Sequence, residues 1–530
     1  MDMQSKLGNY FKAINLSNPI LLVFLLGAVI RLYNSWFTFY LNSDGVLYIN
    51  QAKIIYYGQW DLLPSSGLVY LSNYPFLIAG AYTIFQNWLL AAKAISFAFG
   101  SLSLVPLYFL FRQFFDNKVS TLGTLLYALV PVFVKSSADV IRDPVYWFFV
   151  VSGMYLFTLH RQPGYRLYVV LSSLFFLMAA WARVEAFLLI VVTSVYLMIP
   201  EHQWLKKLLL FLAPLLTAAA LLMTLPLITG NSIDFINRFP EIMEKLTVPL
   251  TQYQKLGTEV QSLRLSIPAD YDIMYQFIDK AGNFAWLVAL ATLVNHFLEG
   301  FFHPFCLVLI VGMVGSFARL KKGPFLIYFI SISVLGGALV YCHLLIGWII
   351  DSRFLAIAML PLFFYIGRGF EKIVQFMKNR FTFTEYTAIT VICFVLLLAG
   401  IPKNLYYREA DKLVFKEIGE YVSELEGANS EYISVSSSST IRQFAFYANL
   451  KNNKTILPPL GTLVAYTQQG YKKFLLYLKI YKVDYFLWEE NFWARQPFNA
   501  INMLDNRKFI ELRRWYHPDT GKLILFKVSQ

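Results

Sequence analysis

The stretch Asn18-Pro-Ile-Leu-Leu-Val-Phe-Leu-Leu-Gly-Ala-Val-Ile-Arg-Leu-Tyr-Asn-Ser-Trp-Phe37 decides the class of this protein. Arg31 is its only charged side chain. A run of about 20 apolar residues is long enough to cross the hydrocarbon core of a bilayer. The run exceeds the apolar core of a signal peptide and lacks a small-residue cleavage site, so we expect an uncleaved membrane anchor.

Further apolar spans follow along the chain. They cover residues 88–111, 119–135, 144–159, 167–182, 186–199, 208–228, 304–317, 324–348, 354–367 and 387–401. The chain is 57% hydrophobic, whereas soluble domains are about 45–50% apolar. The sequence therefore predicts an α-helical polytopic membrane protein with about eleven transmembrane helices.

The basic residues predict the orientation in the membrane. The net charge is +13, and in a membrane protein such an excess anchors helix ends on the cytoplasmic face, so no nucleic-acid partner is predicted. Alternate connections carry Lys6 and Lys12; Arg112 and Lys118; Arg161 and Arg166; Lys206 and Lys207; Arg319, Lys321 and Lys322; and Arg368, Lys372, Lys378 and Arg380. We expect a multi-pass protein of the cell (inner) membrane with a cytoplasmic N-terminus and an extracytoplasmic C-terminal domain.

Composition divides the chain into a membrane part, residues 1–401, and a soluble tail, residues 402–530. The outer loop 41–87 contains a segment that reads as an amphipathic helix in the interface, from Asp44 to Lys53. The outer loop 229–283 is polar, with acids that include Asp234 and Asp270, and its length is typical of a binding loop.

The tail is predicted to be a small α/β domain. Helices are expected at 413–425 and 471–481, strands at 432–436, 455–457 and 484–488, and a C-terminal hairpin at 509–516 and 523–528. His517-Pro-Asp-Thr-Gly521 supplies the hairpin turn. The sequence has no phosphate-binding GxxxxGK[ST] loop, which does not favour ATP-driven transport.

Charged residues at the outer ends of apolar helices are the candidate functional groups. They are Asp44, Arg142 with Asp143, Arg183 with Glu185, and Asp351 with Arg353. A charge in the bilayer centre costs about 2.5–3.5 kcal/mol on insertion scales, so such residues tend to be functional. A structural alternative stays open for each: N-caps for the aspartates, an ion pair for Arg183, and snorkelling to the interface for Arg353.

His296, Glu299 and His303 form a separate candidate set. Spacings of three and four residues put them on one helical face, and His with Glu is a possible metal-ligand set. The alternative is the polar face of an interfacial helix, and the function predicted below requires no metal.

The ordered motifs carry a family resemblance. Asp44 with Tyr48, Ala138-Asp-Val-Ile-Arg-Asp143-Pro144, Trp181-Ala-Arg183-Val-Glu185 and Ser352-Arg-Phe354 occur in one order ahead of a soluble tail. Over roughly residues 15–370 the chain resembles the polyprenyl-phosphate-sugar-dependent glycosyltransferases of the GT-C class. It is most similar to the bacterial family 39-type enzymes, relatives of protein O-mannosyltransferases and of the lipid A aminoarabinose transferase.

This resemblance implies an inverting transferase that takes a sugar, a hexose or a pentose, from polyprenyl phosphate as lipid co-substrate and needs no other cofactor. Asp44 and Asp143 would be the catalytic carboxylates. Arg183, Arg353, Arg142 and Lys93 would bind the donor phosphate, and Glu185, Tyr74 and Tyr48 would support them. The acceptor hydroxyl would belong to a glycan, a lipid or a protein.

The chain departs from these families at two places, and rival classes stay open. Asn73-Tyr74-Pro75-Phe76 stands where aminoarabinose-transferase-like relatives often carry Lys-Pro-Pro, and Gly45 stands where protein mannosyltransferases have a glutamate after the first aspartate. The main alternative is a transporter or flippase of lipid-linked sugars, since intramembrane charges also mark transport pathways. A non-catalytic scaffold is a third possibility. The sequence predicts neither the sugar nor the oligomeric state.

Overall fold

The computed structural model describes residues 19–68, 70–199, 203–229, 238–268, 271–314, 324–405, 410–427, 432–438, 440–452, 454–458, 460, 463–502 and 508–529. The orientation residues Lys6, Lys12, Arg319, Lys321 and Lys322 and the loop acids Asp234 and Asp270 lie outside these ranges.

Helices dominate the described chain up to residue 405. They are α1 (Pro19–Phe37), α2 (Ser43–Tyr56), α3 (Asn73–Phe85), α4 (Trp88–Leu102), α5 (Leu104–Arg112), α6 (Asn117–Leu129), α7 (Pro131–Ala138), α8 (Asp143–Thr158), α9 (Tyr165–Ala182), α10 (Phe187–Leu197), α11 (Trp204–Thr229), α12 (Phe239–Leu265), α13 (Asp272–Asn283), α14 (Ala285–Phe301), α15 (His303–Met313), α16 (Pro324–Gly347), α17 (Ala356–Phe381) and α18 (Glu385–Asn404). Short 3₁₀ turns at Trp60–Ser65, Leu159–Arg161, Val184–Ala186 and Ser352–Leu355 connect some of them.

Seven described helical segments are long and apolar enough to cross a membrane. They are Pro19–Phe37, Trp88–Arg112, Tyr165–Ala182, Trp204–Thr224, Phe325–Gly347, Ser352–Phe381 and Glu385–Asn404. The bent pairs α6–α7 (55°) and α13–α14 (72°) raise the number to nine if each is one span. The bend between α6 and α7 falls at Pro131, which forces Val130 into an extended conformation. The fold class is confirmed, while the number of eleven crossings stays a prediction.

Two compact units divide the chain. The first comprises Met1–Asn34, Phe97–Ser137 and Arg142–Leu405, and the second comprises Ser35–Ser96, Ala138–Ile141 and Tyr406–Gln530. The second unit therefore combines the soluble tail with segments that precede it by more than 260 residues in the sequence. A boundary placed at residue 401 from composition does not assign these segments to the unit of the tail, because tertiary contacts and not chain order bring them together.

Unit 1 packs its helices closely around buried polar groups. Arg31 in α1 is fully buried, and its Nη1 donates to the carbonyl oxygens of Gly27 (3.0 Å) and Ala128 (3.2 Å). A Cβ at position 27 would approach Leu104 Cδ1 to 2.7 Å, so an alanine where α1 meets α5 would have to displace that side chain. Arg31 thus satisfies backbone groups within the bundle.

The predicted polar loop 229–283 contains two helices in its described part, α12 and α13. The helix α12 runs for 27 residues. Its charged side chains pair along one face, Arg238 with Glu241 at 2.6 Å and Lys245 with Glu241 at 3.5 Å. Such pairs three and four residues apart stabilise a helix. The described part of this segment is therefore helical, and its placement as an outer binding loop stays a prediction.

Unit 2 contains a small sheet with helices around it. Its tail has α19 (Leu413–Glu426), α20 (Ile441–Ala448), α21 (Leu463–Thr467), α22 (Tyr471–Ile480) and α23 (Glu490–Trp493), with β1 (Val435–Ser436), β2 (Tyr485–Glu489), β3 (Phe509–His517) and β4 (Gly521–Val528). The strand order is β1-β2-β4-β3. Strands β1 and β2 are parallel, and β4 is antiparallel to both β2 and β3.

The predicted strand at 455–457 is wrong. Leu457 instead exchanges two hydrogen bonds with the Asn50 side chain of α2, at 2.8 and 3.0 Å. The Asn50 side chain therefore forms the hydrogen bonds that the Leu457 backbone would form with a neighbouring strand. The helix α20, which we did not predict, packs against α19 in the same unit, where a Cβ at Gly419 would meet the Tyr447 Cβ at 2.4 Å.

Candidate functional site

Asp143 lies at the start of α8 in unit 1, and its carboxylate is almost completely buried. The N-cap of α8 is Arg142, whose side chain forms no capping hydrogen bond. Asp143 Oδ1 accepts a hydrogen bond from Arg183 Nη1 at 2.6 Å. Asp143 Oδ2 lies 3.9 Å from Arg353 Nη1. The carboxylate therefore binds guanidinium groups. It is not the N-cap of α8, which was the structural alternative that the following proline suggested.

Arg183 binds two carboxylates with one guanidinium group. Its backbone is extended (φ −146°, ψ 128°), which interrupts the helix between α9 and α10. Nη2 and Nε donate to the two oxygens of Glu185 at 2.9 and 3.3 Å, while Nη1 binds Asp143. A planar fork suits this geometry, which a single ammonium group cannot reproduce.

Phe354 lies between two arginines at the same place. The Cζ atom of Arg183 is 4.4 Å from the centre of its ring, and the Cζ atom of Arg353 is 5.3 Å from it. Arg353 Nε also lies 3.4 Å from Asp351 Oδ2. An aromatic face beside guanidinium groups fixes their planes and shields them from water.

An ion-pair chain connects this cluster to α12. Lys245 Nζ lies 2.7 Å from Glu185 Oε1 and 3.5 Å from Glu241 Oε1. Glu241 in turn binds Arg238, which donates to the Trp181 carbonyl at 2.7 Å. Sequence reasoning missed Lys245 and Arg238, although the i, i+4 spacing of Glu241 and Lys245 is a helical signal that was available.

Cations outnumber acids in this cluster. The buried or partly buried cations are Arg142, Arg183, Arg238, Lys245 and Arg353, and the acids that are buried to a similar degree are Asp143, Glu185 and Glu241. An excess of positive charge in a buried site favours the binding of an anion. A guanidinium group can bind two phosphate oxygens at once through two parallel hydrogen bonds. The arrangement is therefore suited to a phosphate group.

Asp44 lies in unit 2, in the first turn of α2. The N-cap of this helix is Asn42, whose Oδ1 accepts a hydrogen bond from the Gly45 N–H at 2.7 Å. Asp44 therefore is not the N-cap, and its carboxylate is half-buried. All residues from Gly45 to Ile54 are buried, so the prediction of an amphipathic helix in the interface was wrong. The polar side chains Asn50 and Lys53 bind the backbone of the tail instead.

Three further predicted residues of unit 2 form internal contacts. The Lys93 ammonium group donates to the carbonyl oxygens of Ser35 (3.0 Å) and Thr38 (2.5 Å). The Tyr74 hydroxyl donates to the Ala92 carbonyl or shares a hydrogen bond with Ser96 Oγ, and its ring contacts Tyr48 edge-on at 5.3 Å. Tyr74 is fully buried. These contacts do not favour a phosphate-binding role for Tyr74.

The predicted single helical face of His296, Glu299 and His303 does not form. Helix α14 ends at Phe301, and Phe302 has a positive φ of 78°, so His303 begins the next helix. His296 Nδ1 lies 4.0 Å from Glu299 Oε2. Within the described ranges, the side chains close enough to share an ion are Asp411, His517 and Asp519. There Nδ1 of His517 accepts the backbone N–H of Asp519 at 3.2 Å, and Nε2 lies 3.5 Å from Asp411 Oδ2 without forming a hydrogen bond.

Comparison with known proteins places this geometry in context. Residues 73–228, which include Asp143 and Arg183, match the family model of dolichyl-phosphate-mannose-protein mannosyltransferase. No curated protein matches the chain.

Solved structures share the fold. The oligosaccharyltransferase AglB from Archaeoglobus fulgidus, tethered to an acceptor peptide with an NVT sequon, has a TM-score of 0.59 and 12% identity over 97% of this chain and 74% of its own. The same enzyme with an inhibitory peptide and a dolichol-phosphate has a TM-score of 0.55 and 12% identity over 96% and 74%. ArnT from Cupriavidus metallidurans bound to undecaprenyl phosphate has a TM-score of 0.51 and 10% identity over 96% and 97%.

At such low sequence identities, the similarity to these structures establishes the fold of the chain alone. It is a multi-pass membrane protein with the GT-C fold of AglB and ArnT, and its segment 73–228 matches the dolichyl-phosphate-mannose-protein mannosyltransferase model, which confirms the resemblance that the ordered motifs predict.

Proposed function

We propose that this protein is a membrane glycosyltransferase that moves a hexose or pentose from polyprenyl phosphate to an acceptor hydroxyl on the extracytoplasmic face. The observation that carries the proposal is the buried cluster of Asp143, Arg183 and Glu185, with Arg353 beside it, within a GT-C fold. AglB and ArnT are solved with dolichol-phosphate and undecaprenyl phosphate, respectively. The protein would lie in the cell (inner) membrane with its N-terminus in the cytoplasm and its tail outside.

The arginines would stabilise the leaving group. Transfer breaks the bond between the anomeric carbon and the phosphate oxygen, and a phosphodiester becomes the monoester polyprenyl phosphate. Negative charge therefore grows on the phosphate oxygens during the reaction. Fixed guanidinium groups stabilise such charge more in the transition state than in the ground state. Arg183 and Arg353 would bind these oxygens, with Arg142 contributing charge.

The two aspartates would have different tasks. The acceptor hydroxyl must lose a proton as it attacks the anomeric carbon, and a carboxylate can take that proton. We assign this role to Asp44, whose carboxylate is not used as an N-cap. Asp143 would orient Arg183, because its Oδ1 already accepts a hydrogen bond from that guanidinium group. Glu185 would hold the other end of the same side chain.

The acceptor and cofactor needs follow from this scheme. The acceptor could be a glycan, a lipid or a protein, since each offers a hydroxyl group. The lipid-linked sugar is a co-substrate, and the scheme requires no further cofactor.

The test measures bond cleavage in the donor. Membrane vesicles that contain the protein receive a sugar-labelled polyprenyl phosphate, and the release of polyprenyl phosphate is followed by thin-layer chromatography. Asp44→Asn should abolish the release at unchanged protein abundance. Asp61→Asn, the same chemical change at an exposed site of the same outer segment, serves as the matched control.

Two results would contradict the proposal. Full turnover of the Asp44→Asn variant would remove Asp44 as the base. Movement of the intact sugar-lipid across the vesicle membrane, without any release of polyprenyl phosphate, would instead support a flippase.

A further inference from the structure

The tail of unit 2 contains a cavity that the proposed transfer reaction does not use. Its volume is about 440 Å³, within the range of roughly 300–1,000 Å³ typical of small-molecule sites. Tyr432, Tyr477 and Tyr481 line it together with Ser434, Asp484 and Pro458. The cavity thus combines aromatic rings with a carboxylate and hydroxyl groups.

The tyrosines form the apolar walls of the cavity. Tyr477 in α22 and Tyr481 just after it are four residues apart, and their ring centres are 4.9 Å apart at an angle of 46°. Tyr477 is fixed by burial and by a hydrogen bond from Ser436 Oγ at 3.2 Å. Tyr481 is only partly buried and also lines the cavity.

Asp484 supplies a fixed hydrogen-bond acceptor. Its Oδ2 accepts the N–H of Ser434 at 2.9 Å, which holds the carboxylate at the wall. The Ser434 hydroxyl donates to the Tyr481 carbonyl at 2.8 Å and joins the two sides of the cavity. A carboxylate fixed in this way can accept further hydrogen bonds from hydroxyl groups of a ligand.

The position of the cavity and its carboxylate do not favour a phosphate ligand. The cavity lies before β1 and β2, at the amino ends of this parallel pair, whereas nucleotide sites lie at the carboxyl ends of parallel strands. Asp484 would repel an anion, and Lys482 is the one cation among the described residues that line the cavity. A neutral ligand with many hydroxyl groups and an apolar face fits this surface, because its C–H face can pack on tyrosine rings.

The segment 455–458 connects the cavity to the helix that bears Asp44. Pro458 lines the cavity, and the residue before it, Leu457, exchanges two hydrogen bonds with Asn50 of α2. Lys53 of α2 donates to the Thr455 carbonyl at 2.9 Å. A ligand in the cavity therefore rests on a segment that is bound to α2.

We propose that this cavity is a saccharide-binding subsite, which receives a neutral sugar unit of the acceptor glycan. The assignment of the ligand as an acceptor rests on the proposed function, whereas saccharide binding itself does not.

The test measures binding without any donor. Full-length protein in detergent micelles is titrated by calorimetry with N,N′-diacetylchitobiose and maltotriose as neutral probes and digalacturonate as an acidic probe. We expect saturable binding of at least one neutral probe and none of the acidic probe. Tyr481→Ala should weaken binding about tenfold through the lost ring face, and Asp484→Asn about fivefold through the lost charge.

Matched variants separate binding from misfolding. Tyr481→Phe keeps the ring and should bind like the wild type, and Tyr516→Ala, at a 68% exposed tyrosine of β3, should also bind normally. The inference is overturned if neither neutral probe binds saturably, or if Tyr481→Ala and Asp484→Asn bind as tightly as the wild type.

The result is independent of catalysis. Asp44→Asn should keep saccharide binding while it loses donor cleavage. Normal binding in a protein that never cleaves the donor would refute the proposed function and leave the saccharide subsite intact.

Discussion

Replacing Arg183 by lysine tests whether the guanidinium fork, and not only its charge, serves the donor phosphate. Arg183 donates to Asp143 from Nη1 and to Glu185 from Nη2 and Nε. A lysine ammonium group is a single point and can keep one of these carboxylates at hydrogen-bond distance. The charge is preserved, but the bidentate geometry is lost.

The magnitude follows from the contacts that disappear. A hydrogen bond to a charged group contributes about 1.5–3 kcal/mol. Glu185 keeps a partner in Lys245 at 2.7 Å, so we expect the free energy of unfolding to fall by only about 1–2 kcal/mol. The loss of bidentate phosphate binding should cost about 2–3 kcal/mol in the transition state. That is a fall of about 30- to 160-fold in kcat/KM for the donor.

The assay is the release of polyprenyl phosphate at varied donor and acceptor concentrations. Arg166→Lys, at an exposed position in the first turn of the same helix α9, is the matched control and should change neither the rate nor the unfolding temperature. Donor turnover of Arg183→Lys within threefold of this control would refute the reasoning. A defect confined to the KM of the acceptor would also count against a phosphate role.

Three further predictions concern the free energy of unfolding and its dependence on pH. Lys245→Met should lower the free energy of unfolding by about 1 kcal/mol, because Glu185 then loses its ion pair with Lys245; an unchanged unfolding temperature would contradict the ion-pair chain. Asn50→Leu leaves two buried backbone groups of Leu457 unpaired and should lower the free energy of unfolding by about 2–4 kcal/mol, with faster hydrogen exchange at the Leu457 amide; unaltered exchange there would contradict this prediction. Burial lowers the pKa of Lys53 from 10.5 to about 8. Between about pH 8 and 10.5 the unfolded chain therefore binds this proton while the folded chain has released it, so the free energy of unfolding should rise with pH. The total rise across this window should be about 3 kcal/mol. Thermal unfolding of Lys53→Met should lack that rise, and a parallel pH profile in both proteins would disprove the assignment.

The sequence identified part of the candidate cluster for a physical reason. A charge in an apolar helix end is costly, so Asp143, Arg183 and Arg353 were conspicuous without any structure. The same logic selected Lys93, but its ammonium group donates to two backbone carbonyls. Charge alone does not reveal which partner a buried cation has.

Helix boundaries explain other differences. The predicted common helical face of His296, Glu299 and His303 does not form, because the positive φ of Phe302 separates His303 from the helix that carries His296. The strand predicted at 455–457 failed because a helix side chain, Asn50, takes its backbone groups. Periodicity describes one element at a time and contains no information about such partners.

By itself, the sequence determined that this is a polytopic helical membrane protein with a soluble tail, because bilayer thickness imposes long apolar runs that are readable in one dimension. It also determined which charges interrupt those runs. Only the tertiary structure decided that Arg183 binds Asp143 across 40 residues, that Lys245 extends the ion pairs to α12, and that α2 belongs to the unit of the tail. Those contacts depend on packing between elements distant in the chain, which local composition does not encode.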